Sequence, residues 1–419
     1  MTEIKKWHFL VFFFSVLTII FIGVEFKRPA DLFVYLQASA ELFSNKNIYN
    51  ELYGNPAMLF YFGNPIFTSL LYPFSKIPIL LATTIWKLLS LLSLLRIIFI
   101  IDEWVFKPHL KIKSNLYAIA ILCLGSIYYI YSNLHLVQMT IIILFLSLES
   151  LNQTFKRNNE IVGGTLLSLA LAIKLTPIVF IPYLLFKQKW KTVFTLVLSI
   201  LLLIVFPSFF LGWDQNIGMW TNWLEALTPE KEEWAIFDMN NRKNHGLSAF
   251  LSTLFIAGIE DNVVDLTHRR HLIDLGYDTV KYLIYAARLS IILFTFYFLK
   301  RGTNTTNSKL NLWWQWCYLF LIITLFFPQQ RLYNFIFLMP TLAYLALFQL
   351  KKYDRIKKIS AYNIWFLICI ITLNLELLFG VYRKFYWYHK STTYATIILL
   401  ILLAISVPKK LNAEKIESI

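Results

Sequence analysis

Charge is what this 419-residue chain has least of. Asp, Glu, Lys and Arg make up 15% of it against 58% hydrophobic residues, and the mean hydropathy is +0.59. Soluble domains carry about 25% charged residues, so these few cannot cover a globule of this size in water. Cysteine is scarce too. Cys123, Cys317 and Cys369 each lie inside an apolar run, which excludes a disulfide framework. The composition also excludes disorder, collagen and coiled coil. Acids are outnumbered, 24 against 39 basic residues, for a formal charge of +15. That excess falls in short clusters between apolar runs, which is the pattern of cytoplasmic membrane loops and not of a nucleic-acid surface.

Several chemistries lack their residues. The outer loops hold no Asp-x-Asp pair, and the chain has no His-Glu-x-x-His, no Cys-x-x-Cys and no Gly-x-x-x-x-Gly-Lys. ATP-driven transport and zinc chemistry are therefore disfavoured. Glycoside hydrolysis normally wants two facing carboxylates, and one acid, Asp31, stands out. With no polar linker, residues 1–419 read as a single all-α polytopic membrane domain.

A helix crosses the hydrocarbon layer in about 20 residues. Charge-free runs of that order are His8–Val24, Thr192–Trp213, Leu310–Gln330, Leu332–Leu350 and Ser391–Pro408. Ser114–Leu148 is too long for one crossing and should turn near Ser132–His135. Ile359–Tyr382 spans with one acid, Glu376, and Tyr282–Leu299 spans with Arg288 inside it. Lys5-Lys6 before the first run reads as a retained signal anchor, since no small-residue cleavage site follows. The clusters at Lys107–Lys113, Lys156-Arg157, Lys187–Lys191, Lys300–Lys309, Lys351–Lys358 and Lys409-Lys410 belong inside by the positive-inside rule. Parity then puts the turn around His135–Gln138 outside, together with Lys174, the loop Asp214–His245, Arg331 and the segment Arg383–Lys390. Between residues 59 and 101 two apolar segments compete for one crossing, and a half-depth first segment reconciles them. Leu247–Ala257 poses the same problem. Ten to thirteen helices are expected, with broken or half-depth ones among them and both termini cytoplasmic.

An ionisable group at the outer membrane face calls for explanation, because it is unfavourable there by at least ~2.5–3.5 kcal/mol unless solvated or paired. Asp31 follows the first span at the amino end of an amphipathic stretch that runs to Phe43. It reads either as an ordinary N-cap or as a functional carboxylate. Lys174, in Ile173-Lys174-Leu175-Thr176-Pro177, either snorkels or is a cation fixed at a helix break. Arg331 is the only charge in the 41 residues from Leu310 to Leu350. His135 and Gln138 share one polar turn, and Asn244-His245 end the large outer loop. Lys87 and Arg288, inside spans, read as snorkelling or paired structural charges.

At these residues the chain resembles glycosyltransferase family 87, the polyprenol-phosphate-mannose-dependent mannosyltransferases of the glycosyltransferase C superfamily. Asp31 followed by Tyr35, Ala38, Ala40 and Asn47-Ile48-Tyr49 is similar to the family's opening motif. The likeness continues at Asn64-Pro65, at Tyr72-Pro73-Phe74 through Ile77-Pro78 to Ile85-Trp86, and at Val137-Gln138-Met139-Thr140. It is clearest from Gly163-Gly164 to Ile173-Lys174-Leu175-Thr176-Pro177, and Asn244-His245-Gly246-Leu247 looks like the family's Asn-Gln-Ser-Leu. The pieces fall in order over roughly residues 25–340. Two departures stand out: Val137 replaces a glycine, and Gln330-Arg331-Leu332-Tyr333-Asn334 replaces Ser-Trp-x-His-His.

The resemblance implies a glycosyltransferase C-like fold with an interfacial helix after the first span. It also implies transfer of one hexose, such as mannose, from a polyprenyl-phosphate donor at the outer face of the cell membrane, with inversion. Asp31 would be the general base, and Lys174 and Arg331 would meet the donor phosphate. Tyr35, Gln138, Asn244 and His245 would bind sugar or acceptor. A glycolipid, polysaccharide or protein could accept the sugar. The sequence demands no metal or other cofactor. The alternative is a transporter or flippase for lipid-linked or anionic glycan cargo, which broken helices and mid-membrane cations would also suit.

Overall fold

The computed structural model describes residues 30–44, 46–54, 59–227, 243–257, 271–301, 308–356, 359–380 and 383–408. Among them, β structure is confined to one antiparallel pair of two-residue strands, Leu52–Tyr53 and Leu59–Phe60. Five helical stretches are long and apolar enough to cross a bilayer: Ile79–Phe106, Ile112–His135, Trp190–Leu211, Tyr277–Lys300 and Leu332–Tyr353. The chain is an all-α polytopic membrane protein. The expected first span His8–Val24, part of the loop Asp214–His245 and the cluster Lys409-Lys410 lie outside the described residues.

Contacts divide the described chain into two compact units, each drawn from separated stretches of sequence. The first holds the residues up to Ile100 and those from Tyr131 to Leu227; the second holds Ile101–Ile130 and the described residues from Lys243 onward.

The first unit opens with helix α1, Ala30–Ala40, which packs on α2, Pro65–Ser75. Residues buried along α1 include Leu32, Val34, Leu36, Ala38 and Ser39. They fall on more than one face, so α1 is enclosed more fully than an amphipathic surface helix. Asn64 caps α2 by accepting from Phe67 N at 2.9 Å, and Pro65 takes the first helical position, where its missing N–H is harmless. At 11 residues α2 reaches about 16 Å, too short to cross. The following α3, Ile79–Ile101, is the full-length segment of the pair. Helix α4, Ile112–His135, keeps its helical bonding to Leu136 N→Ser132 O, so the expected turn falls just later, between His135 and the start of α5, Thr140–Phe155.

Helix α6, Glu160–Ile173, stops at Lys174 and is followed by a 3₁₀ turn, Thr176–Val179, and α7, Phe180–Phe186. Its glycines let it lie against both neighbours. A Cβ on Gly163 would sit 2.2 Å from Thr154 Oγ1 of α5, and one on Gly164 would sit 2.5 Å from Thr192 O of α8, Trp190–Val205. Helix α9, Trp213–Leu227, closes the unit and adds Met219 and Trp223 to an aromatic cluster that includes Tyr49, Tyr53 and Tyr61.

The second unit contains α10, Leu247–Phe255; α11, Tyr277–Arg301; and α12, Ser308–Phe326. A 3₁₀ segment, Leu332–Leu338, leads into α13, Met339–Ile356, and the unit ends with α14, Ala361–Leu373, α15, Arg383–Tyr388, and α16, Ser391–Ile405. Trp313, Trp314 and Trp316 are fully buried at its centre, and Trp104 packs on two of them. Helix α10 spans nine residues, about 14 Å, and cannot cross alone. Arg288, which the sequence reads as a snorkelling or paired structural charge, donates to Ser248 Oγ at 2.9 Å.

Candidate functional site

Two polar clusters emerge, one in each unit. In the first, Asp31 occupies the opening turn of α1, where the helix dipole favours a carboxylate. Its carboxylate accepts a hydrogen bond from Gln138 Nε2, and its backbone N donates to Leu136 O at 3.3 Å. Gln138 is itself held at both backbone ends: its N donates to Asn133 O at 2.8 Å, and its O accepts from Trp86 Nε1 at 3.4 Å. The α4–α5 turn thus grips the half-buried aspartate by backbone and side chain, 107 residues away in sequence.

That grip needs a left-handed residue at position 137, and Val137 has φ 50°. A β-branched residue there is strained by about 1–2 kcal/mol. Its side chain is 1% exposed, and burying a valine is worth about 1.5–3 kcal/mol, which offsets the strain. The buried valine thus holds the left-handed turn through its own packing.

Lys174 caps the end of α6 with extended φ −155°, ψ 137° and is half-buried. Asn64 Nδ2 donates to Ala172 O at 2.7 Å, tying the start of α2 to the end of α6 two residues before the lysine. The side chain of Asn64 so serves both as a cap and as a tie. Tyr35, one turn beyond Asp31 on α1, meets Tyr61 and Phe67 edge-on at 5.6 and 5.8 Å. Asp31 and Gln138 are in direct contact, and Lys174 is placed by the α2–α6 tie in the same unit.

The second cluster gathers Asn244, His245, Gln330 and Arg331. Asn244 Nδ2 donates to Pro328 O at 2.8 Å, and its Oδ1 accepts from Gly246 N and Gln330 N, both at 2.9 Å. Its amide is thereby committed to backbone, and it clamps two loops together. His245 N donates to Gln330 O at 2.7 Å, and His245 O accepts from Thr393 Oγ1 at 2.7 Å. The imidazole is fully buried between Phe335 and Tyr386, with ring centroids 6.4 and 6.2 Å away. Burial, reinforced by the nearby cations Lys390 and Arg331, holds its pKa well below the usual histidine value. Arg331 is half-buried at the start of the 3₁₀ segment.

Sequence reasoning missed Lys390, which is 1% exposed at the start of α16. In the sequence it is only the end of an outer segment. A lysine following Tyr-Trp-Tyr-His gives no periodic signal of burial. Among the described residues, no three His, Cys, Asp or Glu side chains are grouped to hold a metal.

Crossing-length apolar helices joined by short broken ones, with a carboxylate and several cations fixed where helices end, define a multi-pass membrane protein built for polar chemistry. A family model for glycosyltransferase family 87 matches residues 61–324, and the chain belongs to that family. It is a membrane glycosyltransferase. The match covers Gln138, Lys174, Asn244 and His245; Asp31 precedes it, and Arg331 and Lys390 follow it. No curated protein matches the chain.

Proposed function

We propose that this glycosyltransferase moves a single hexose, such as mannose, from a polyprenyl-phosphate carrier to an acceptor hydroxyl at the outer face of the cell membrane. The observation that carries the reading is the hold on Asp31: a half-buried carboxylate at a helix start, oriented by Gln138 and fixed through its own backbone. An ordinary N-cap does not require a glutamine from a distant turn.

The acceptor oxygen forms a bond to the anomeric carbon as the bond from that carbon to the phosphate oxygen breaks, so configuration inverts. The electron pair leaves with polyprenyl phosphate, and the acceptor's proton passes to Asp31. A base so placed is worth about 10²–10⁴-fold. Charge grows on the leaving phosphate, so cations that meet it stabilise the transition state beyond the ground state. Lys174, in the same unit as Asp31, takes that role. Gln138 orients the base and Tyr35 contacts sugar or acceptor; in the second unit Asn244 keeps the His245 loop in register. Glycolipid, polysaccharide and protein acceptors all present the required hydroxyl.

The test is transfer from a labelled polyprenyl-phosphate hexose by purified protein in liposomes, comparing wild type with Asp31→Asn. Asparagine can still cap the helix and accept from Gln138, but it cannot take the proton. Activity should fall at least about a hundredfold while the elution profile is unchanged. Wild-type turnover in a folded variant would remove Asp31 from the chemistry.

A further inference from the structure

Helix α9, Trp213–Leu227, has three unlike sides. It follows the crossing-length stretch Trp190–Leu211 across a bend at Gly212, whose φ of 84° favours glycine. Each residue turns the helix by about 100°, and this sorts the side chains. Asn216, Met219 and Trp223 are buried and lie on one side. Trp213, Ile217 and Leu224 fall within about 40° of one another on a second side, and they are 57%, 48% and 54% exposed. Asp214, Thr221 and Glu225, exposed as well, lie on the third. The two acids are the only charges in the helix, and the apolar stripe has none. Water alone would leave that stripe without a reason, and hydrocarbon alone would strand two carboxylates. A helix at the corner of protein, lipid and water uses all three sides.

Hydrogen bonds fix where α9 sits. Asn216 Nδ2 donates to Ile204 O at 2.9 Å and to Ser208 Oγ at 2.8 Å, which fastens the first turn of α9 to the end of the apolar stretch before it. Gln215 Nε2 donates to Leu42 O at 2.9 Å, and Trp223 Nε1 donates to Phe62 O at 3.2 Å. Met219 and Trp223 share a core with Val34, Ala38 and Leu42, so α9 braces the helix that carries Asp31.

We propose that α9 lies along the boundary between lipid headgroups and acyl chains, with Trp213, Ile217 and Leu224 as its lipid contacts, and that it sets the depth of α1 in the bilayer. The chain leads into this stripe from a surface of the same kind, where Leu202, Phe206 and Phe209 are 63%, 48% and 84% exposed. The fastening at Asn216 keeps α9 level with the end of that stretch, where headgroups begin. Helices of this type sink their apolar side about 5–10 Å into the boundary. Both charges of α9 are acidic, so apolar area holds it there and attraction to anionic headgroups does not. The seating is independent of which sugar, donor or acceptor the enzyme uses.

The test places a fluorescent probe on single cysteines at Leu202, Asp214, Ile217, Leu224 and Glu225 of the full-length protein in phosphatidylcholine vesicles. A Cys123→Ala background leaves Cys317 and Cys369, both fully buried, as the remaining native thiols. Quenching by lipids spin-labelled at graded depths should put the probes at 217 and 224 about 5–10 Å below the headgroups. The probe at 202, about 14 Å before the end of the apolar stretch, should lie deeper. Probes at 214 and 225 should be quenched by aqueous iodide instead, and phosphatidylglycerol vesicles should give the same depths. Iodide quenching at 217 and 224 equal to that at 225 would overturn the proposal, because the stripe would then face water. Probes at 217 and 224 reached by neither quencher would overturn it too, since another segment of this chain or a second copy would cover them. Leu224→Glu tests the bracing at a side chain whose exposure spares the fold: probes at Ile217 and at Phe43, just beyond α1, should shift outward together. A Phe43 probe that stays in place while the Ile217 probe moves would refute the setting of depth.

Discussion

Replacing Gly164 by alanine should disable this protein through a displacement of about an ångström. The added Cβ would lie 2.5 Å from Thr192 O, 2.8 Å from Thr195 Cβ and 2.9 Å from Leu196 N, where ordinary contact begins at 3.4 Å. Two of those three atoms are backbone, so no rotamer change relieves them. Helices α6 and α8 must separate by about 0.9 Å, and overpacking of this kind destabilises by about 1–3 kcal/mol. Lys174 caps the same helix ten residues on and moves with it. A misplacement near 1 Å is able to lower turnover by about a hundredfold. Gly163→Ala provides the control: its Cβ meets chiefly Thr154 Oγ1 at 2.2 Å, a side-chain atom, with Ser150 O next at 3.1 Å. The double variant Gly163→Ala/Thr154→Ala should recover much of the milder loss. Thermal unfolding in detergent and transfer rates measure both effects. A Gly164→Ala protein as stable and active as wild type, or one less damaged than Gly163→Ala, would refute the close-approach argument.

Lys174→Ala should lower transfer about ten- to a hundredfold, with kcat falling as well as KM rising, because the contact tightens as the phosphate leaves; unchanged kinetics in a folded variant would return it to a structural role. The native imidazole of His245 resists protonation, whereas an unfolded one titrates near 6.5. Below that pH the unfolded chain binds a proton that the native state does not, so stability should fall with acidification by up to about 1.4 kcal/mol per pH unit and stay flat above it. His245→Leu should lose that part of the slope in unfolding experiments across pH 4.5–8. Sidedness can be read in intact cells: a cysteine at Gln329 should react with an impermeant reagent, and one at Lys111 only after permeabilisation. The opposite pattern would invert the orientation argued from loop charge.

What the sequence made legible is what local rules control. Proline at 177 and the lone cation before it marked the break after Ile173, and the structure places Lys174 at that break in an extended conformation. Asp31 in the first turn of α1 and Arg331 at the start of a helical segment follow from the same reasoning. Contacts between distant segments were not legible. Nothing in periodicity joins Gln138 to Asp31, Asn64 to Ala172 or Thr393 to His245, separations of 107, 108 and 148 residues. Lys390 was hidden for a further reason: composition assigns lysine to water, and only packing around α15 and α16 buries it. Val137 also misleads as a departure from the family pattern, since its backbone adopts the conformation a glycine would.

Hydropathy and burial rank two of the spans in opposite order. Trp190–Leu211, the most apolar of the five, is 11% buried, while Leu332–Tyr353, among the least apolar, is 94% buried. Among the described residues the most apolar helix therefore presents an outward surface, and the more polar one sits inside protein. A water-soluble redesign would begin on that outer surface, at Phe194, Leu201, Leu202 and Phe209, and on Leu289 and Leu293 of Tyr277–Lys300. Each of those side chains is more than half exposed, so exchanging them for polar ones disturbs the packed interior least. It leaves the buried tryptophans and both polar clusters untouched, so the enzyme's interior could be studied without a bilayer around it.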